Sequence, residues 1–229
     1  MFTRSQTARS RIAGLWSYLT EPQSASSAPL EEVLRVLEEA KQLGFLGPGP
    51  VVRHVERSLP FLDLFPRECS TALDLGSGGG VPGLILAALT PHLSWHLLEG
   101  GTTRSAFLER SVKLLYMSQR VVVVGERAEV AARTPLRGTF DVVTARSFAA
   151  PGVTAECGAP FLRLGGQLIV AEPPCGDPLR WPETGLSELG LSPGRAVQKP
   201  YAFQVLHQTQ PCPERYPRRN GIPSKRPLF

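Results

Sequence analysis

At 229 residues the chain can bury one sizeable core and falls short of two comfortable domains. Its 42% hydrophobic and 20% charged content excludes wholesale disorder, and no apolar run approaches the roughly 18 residues of a membrane span. A net charge of +5 and a pI near 9.3 admit a polyanionic partner without requiring one.

Residues 1–29, rich in Ser, Thr, Ala and Gln, read as a flexible leader with a short helix over 12–19. Arg4, Arg9 and Arg11 precede no apolar h-region, so no secretory signal is read and a soluble cytoplasmic protein is expected. Leu30, Val33, Leu34, Leu37 and Ala40 recur at helical spacing, with Glu31, Glu32, Glu38 and Glu39 on the other face, which predicts a helix over 30–43. The Gly- and Pro-rich run 44–50 stops it, and a second helix is predicted over 51–64, closed by Pro66.

From Thr71 the pattern becomes strand, turn, helix, repeated. Strands are predicted over 72–75, 95–98, 120–124, 141–145 and 167–171, with helices over 81–89, 103–116 and 152–162. This alternation predicts an α/β, Rossmann-like fold with a mainly parallel sheet, helices on both faces and an N-terminal helical extension. Right-handed crossovers then gather the strand ends, and any ligand, along one edge. Residues 30–229 read as a single domain: the extension over 30–66, a cofactor-binding half over 67–175, and a Pro-rich C-terminal part over 176–229 whose best strand candidate is 201–207. Cys69, Cys157, Cys175 and Cys212 lie far apart without C-x-x-C spacing, which argues against a zinc site and a disulfide framework. No metal is expected, and Cys157 and Cys175 read as packing or exposed thiols.

The densest signal is Asp74-Leu75-Gly76-Ser77-Gly78-Gly79-Gly80-Val81-Pro82-Gly83. A strand feeding a glycine turn and then a helix lets backbone approach a ligand closely, because glycine has no Cβ in the way. The G-x-G device alone is shared with dinucleotide-binding enzymes. The next strand ends on Glu99, where an ionised carboxylate can accept hydrogen bonds from both hydroxyls of a ribose. Asp74 ahead of the loop, and Gly125-Glu126-Arg127-Ala128-Glu129 after the third strand where an adenine would lie, favour S-adenosylmethionine over NAD or a flavin. A cofactor without a pyrophosphate needs no phosphate cradle at a helix N-terminus.

These residues resemble the RsmG (GidB) family of bacterial methyltransferases, which modify N7 of a guanine in small-subunit (16S) ribosomal RNA. The likeness covers roughly residues 50–229. Arg53-His54 with Ser58-Leu59 resembles the family's RH-x-x-D-S-L helix, the glycine loop matches its D-x-G-[ST]-G-x-G-x-P-G, and Arg127-Ala128-Glu129 its R-A-E segment. Thr144-Ala145-Arg146-Ser147-Phe148-Ala149 is similar to its T-A-R-A-x-A strand end, and the run from Tyr216 to Leu228 to its Y-P-R-R-x-G-x-P-x-K-x-P-L ending. The resemblance implies cofactor contacts at Gly76 and Val81, with Gly78 in the same loop, at Ala128 and Glu129 beside the adenine, and at Arg146 near the reacting end. Arg53 and His54 fall on its substrate side. Three features depart from the pattern: Arg57 stands where the family has aspartate, no Asn-Leu-Thr segment precedes the helix, and Glu172-Pro173-Pro174 follows a strand where the family often has lysine.

A guanine N7 carries a free lone pair, so its methylation needs positioning and water exclusion rather than a general base. Arg146 is the expected catalytic residue, orienting the methionyl carboxylate or an RNA phosphate. In the tail, Arg215, Arg218, Arg219, Lys225 and Arg226 are unaccompanied by acids, and the prolines are expected to hold them off the core as a phosphate-binding patch, with Tyr216 free to stack on a base. The expected partner is ribosomal RNA or the small subunit, and the expected state a monomer. The alternatives are an enzyme of the same fold with another substrate, or a non-catalytic RNA-binding protein.

Overall fold

The computed structural model describes residues 30–174, 178–198 and 200–229. The helix predicted over 12–19 and Cys175 lie outside the described residues. The chain begins with two helices, α1 (Leu30–Gln42) and α2 (Val51–Ser58), and a 3₁₀ turn over Leu59–Leu64. The predicted 51–64 helix tightens there because Pro60 lacks the N–H that would continue the ladder. Then follow β1 (Thr71–Leu75), α3 (Gly83–Leu89), β2 (Ser94–Leu98), α4 (Thr102–Leu114), β3 (Val121–Val124), α5 (Ala128–Ala131), β4 (Phe140–Arg146), α6 (Pro151–Gly158), β5 (Leu162–Glu172), α7 (Glu183–Ser187), β6 (Leu191–Val197), β7 (Ala202–Gln208) and α8 (Ile222–Lys225).

The strands form one sheet in the order β3-β2-β1-β4-β5-β7-β6, parallel from β3 to β5 and antiparallel at β7 and β6. Successive side chains on a strand point to opposite faces. Ala72, Trp95, Val142, Ile169 and Val205 therefore join one core with α1 to α4, and Leu73, Val143, Leu168 and Leu206 join the other with α5, α6 and the tail. The run Gly83–Ala88 of α3 is buried throughout, because Val33, Val36, Leu37 and Ala40 of α1 share its core on the side away from the sheet. No helix among the described residues is long and apolar enough to cross a membrane.

Two differences from the sequence reading have clear causes. β6 was invisible as a strand because Pro193 and Gly194 interrupt it. It survives as the sheet's edge, with a register shift between Pro193 and Ala196, where a missing N–H costs no ladder bond. The tail does not stand off the core. Arg137 donates to the carbonyls of Cys212, Pro213 and Tyr216, and Arg133 to that of Pro217, so the backbone acceptors that proline leaves unpaired are satisfied from the 132–139 segment. Phe229 closes the chain edge-to-face against Trp181, its ring centroid 6.5 Å away.

Candidate active site

The order of the strands reverses between β1 and β4, and in such sheets ligands lie outside the carboxyl ends at the reversal. A cleft of about 670 Å³ opens there. Gly76, Gly78, Val81, Glu99, Ala128, Glu129, Arg146 and His54 all line it. Arg53, one residue before His54, is exposed and lies outside it.

The glycine loop is pinned from below. Asp74 is fully buried at the end of β1, accepting the Gly83 N–H (3.1 Å) and the Thr144 hydroxyl (2.7 Å). Burial pushes its carboxyl up to about 6, against those two hydrogen bonds. The Ser77 N–H reaches the Leu98 carbonyl (2.9 Å), tying the loop to β2. Gly78, at φ 54, then directs its own N–H to Glu99 Oε2 at 2.9 Å. The other carboxylate oxygen, Oε1, accepts from the Gly101 N–H (2.7 Å) and from Arg104 Nε and Nη2 (3.0 and 2.8 Å). Glu99 is thus fixed in orientation at the cleft wall, and Arg104 is a partner that spacing alone did not reveal.

Beside the end of β3, Glu129 starts α5 and is buried. Its Oε1 accepts the Gly221 N–H of the tail at 3.0 Å, and Arg127 stands 3.8 Å from Oε2. At the opposite end, Arg146 closes β4, and the chain turns sharply at Ser147, a non-glycine residue at φ 56. Its guanidinium donates to the His54 carbonyl (3.3 Å) and to His54 Nδ1 (3.1 Å). His54 Nε2 in turn meets the Gly47 carbonyl at 3.2 Å. Desolvation and the nearby Arg57 lower the proton affinity of Arg146, and desolvation followed by Arg146 lowers that of His54.

The sequence reading treated 44–50 only as a helix stop. Phe45, Leu46, Gly47 and Pro48 instead form a wall of the cleft. Phe45 stacks edge-to-face on Phe107 of α4 (5.5 Å), and a Cβ on Gly79 would come within 2.7 Å of Leu46 and 2.9 Å of the Phe45 carbonyl. Glycine at 79 is thus needed for this close approach as much as for a ligand. Phe148 was also missed; it packs over Gly76.

The tail expectations need correction. Arg218 is bound to Glu156, a completely buried acid of α6: its backbone N–H, Nε and Nη2 all reach the carboxylate, at 2.6–3.2 Å. A guanidinium so committed is a structural counter-ion, not a free phosphate contact. Tyr216 is buried with its hydroxyl donating to Glu188 (2.7 Å), so its ring is not presented for stacking on a base. Arg219, Lys225 and Arg226 are exposed, and the Glu129–Gly221 bond ties the tail at Gly221 to a residue of the cleft wall. Of the thiols, Cys157 is buried, and burial pushes Cys69 and Cys212 up to about 11.

Residues 49–172 match the family model described as GidB, rRNA small subunit methyltransferase G. The chain belongs to this family. Over 189 residues it is 39% identical to the Ribosomal RNA small subunit methyltransferase G of Carboxydothermus hydrogenoformans, covering 78% of this chain and 79% of the relative. It is 32% identical over 190 residues to the protein of the same name from Syntrophomonas wolfei, covering 79% and 87%. Among solved structures, cofactor-bound Rv0187 from MTB superposes with a TM-score of 0.58 at 16% identity, covering 90% of this chain and all of the other. A geranyl diphosphate methyltransferase in complex with GPP and sinefungin gives 0.53 at 14% identity, over 66% and 77%. The fold is thus that of the Rossmann-like methyltransferases, and this GidB-family chain is an S-adenosylmethionine-dependent member. The donor set fits the cofactor: a fixed carboxylate on the cleft wall, bare backbone beside it, and a guanidinium at the far end.

The departures from the family pattern fall around the mouth and beyond. Arg57 lines the cleft near Arg146, so two guanidiniums face a space where the usual aspartate would put one negative charge. Glu172, at the end of β5, is bound by Arg180 at 2.6 Å.

Proposed function

We propose that this protein transfers a methyl group from S-adenosylmethionine to N7 of a guanine in small-subunit ribosomal RNA, acting as a monomer. The observation that carries the acceptor assignment is that, among the described residues, no free general base stands at the Arg146 end of the cleft. Both ring nitrogens of His54 are engaged, and Asp74 is buried under the loop with both oxygens bonded. The acids that line the cleft, Glu99, Glu126 and Glu129, belong to its ribose and adenine side. A purine N7 brings its own lone pair, and no proton has to leave, so a site built this way suits it and not an exocyclic amine.

The cofactor, when bound, supplies an electrophilic methyl on a sulfonium. Oε2 of Glu99, which meets a single protein donor, accepts a ribose hydroxyl, the glycine loop presents bare backbone, and Arg146 with Arg57 offers positive charge to the methionyl carboxylate. Arg53, Arg219, Lys225 and Arg226 contact RNA phosphates around the mouth, which fixes position without reading bases. Incubation with labelled donor and undermodified small subunits, followed by mass-spectrometric mapping, tests the proposal. Label at a guanine N7 is expected; label confined to protein or small molecules would defeat it. Glu172 and Arg57 favour a second reading, an enzyme of this family with a shifted acceptor. Complementation of a strain lacking the ribosomal enzyme would remove that reading.

A further inference from the structure

We propose that His54 is a positioning residue: its neutral imidazole holds the Arg146 guanidinium toward the cofactor, and its protonation releases it. This rests on the reading of Arg146 as a cofactor contact. The geometry fixes the tautomer. A guanidinium only donates and a carbonyl only accepts, so the nitrogen 3.1 Å from Arg146 Nη2 must carry the lone pair, and the one 3.2 Å from the Gly47 carbonyl must carry the hydrogen. His54 is 8% exposed and makes both bonds at once, so the ring ties the end of β4 to the segment that walls the cleft. A second proton, on Nδ1, would set N–H against N–H and cation against cation.

The charged groups that face the ring all oppose such a proton: Arg146 from β4, Arg57 from its own helix and Lys41 from α1, while the 44–50 segment offers only the Gly47 carbonyl. With burial, they hold the ring below the ordinary 6.5. Near neutral pH His54 is therefore uncharged and Arg146 is held. The cost of acidification would fall on donor binding.

Two near-isosteres separate the two bonds. In His54→Asn the side-chain oxygen stands where Nδ1 was, so the acceptor for Arg146 remains and the Gly47 bond is lost. In His54→Gln the amide nitrogen stands where Nε2 was, so the Gly47 bond remains and Arg146 loses its side-chain acceptor, keeping only the backbone carbonyl of residue 54. Calorimetric titration of the full chain with S-adenosylmethionine, from about pH 5 to about pH 8, reads both. At neutral pH we expect His54→Asn within about threefold of the wild-type dissociation constant and His54→Gln weaker by about tenfold or more. The wild type should lose affinity relative to His54→Asn as pH falls. That ratio cancels the titration of Asp74, whose carboxyl lies near 6 and is common to both proteins. Wild-type affinity in His54→Gln, or a wild-type to Asn ratio that does not change with pH, overturns the proposal. Equal losses of melting temperature and of affinity in the two variants, a packing role only, overturn it as well. Should neither variant fold, a wild-type affinity that does not change with pH across the histidine range overturns it, and a loss toward acid supports it. No donor binding by the wild type at any pH overturns the parent reading of the site too, whereas intact binding with no effect of His54→Gln overturns this inference alone.

Discussion

Asp74 and Glu99 show two ways a carboxylate can serve one loop. Asp74 faces away from the cleft and fixes the loop through the Gly83 N–H; Glu99 faces the cleft and is itself fixed by backbone N–H groups and Arg104. Because folding raises the Asp74 carboxyl from 3.8 to about 6, its contribution to stability is present at low pH and is lost as pH rises through that interval. Asp74→Asn removes this dependence. In urea unfolding, the stability of the wild type relative to Asp74→Asn should fall between about pH 4 and pH 7 by on the order of 3 kcal/mol; a difference independent of pH would contradict it. Glu99→Gln should weaken donor binding about tenfold or more and also lower the melting temperature, because the amide NH2 cannot accept from the donors that now meet the carboxylate; a thermal melt beside calorimetry at a temperature where the variant is folded separates the two. Glu99 was legible because a lone carboxylate at a strand end after a glycine loop has few other uses. The pairing of His54 with Arg146 was not, because the two lie 92 positions apart and nothing local in either segment records the other.

At the level of elements, the parallel half of the sheet was readable from the sequence, since β1, β4 and the later part of β5 bury near-continuous apolar runs between polar turns and β3, at the edge, is a run of four valines. The antiparallel end was read only at β7, because the proline that marks β6 as an edge also masks it as a strand. The docking of the tail escaped for another reason. Its prolines suggested detachment, while the one sequence clue to the contrary was Glu156, a single acid within the otherwise small and apolar α6. A buried carboxylate demands a counter-ion, and removing that partner costs about 3–5 kcal/mol. Arg218→Ala should therefore lower stability by that order in denaturant unfolding. An Arg218→Ala protein as stable as the wild type would show that Glu156 finds other relief.

Across the whole molecule, the N-terminal helices and the sheet share one core, and the loop between those helices walls the cofactor cleft. The extension is therefore part of the site. Gly79→Val should push Leu46 and the Phe45 carbonyl away and weaken donor binding by about tenfold or more, measured on folded protein. The tail docks against the opposite face, is tied to the cleft wall through the Glu129–Gly221 bond, and leaves Arg219, Lys225 and Arg226 exposed. Replacing these three by alanine should lower the salt slope of small-subunit RNA binding by about 0.7–0.9 for each phosphate that is no longer neutralised, with stability unchanged. An unaltered slope would move the RNA surface elsewhere.

Everything said of chemistry depends on the cleft at the β1–β4 reversal accepting the methyl donor. Titrating the purified chain with S-adenosylmethionine and its demethylated product in a calorimeter tests this most directly. Saturable one-to-one binding, with a dissociation constant on the order of micromolar, is the predicted result. No heat at millimolar concentrations of either compound would contradict it.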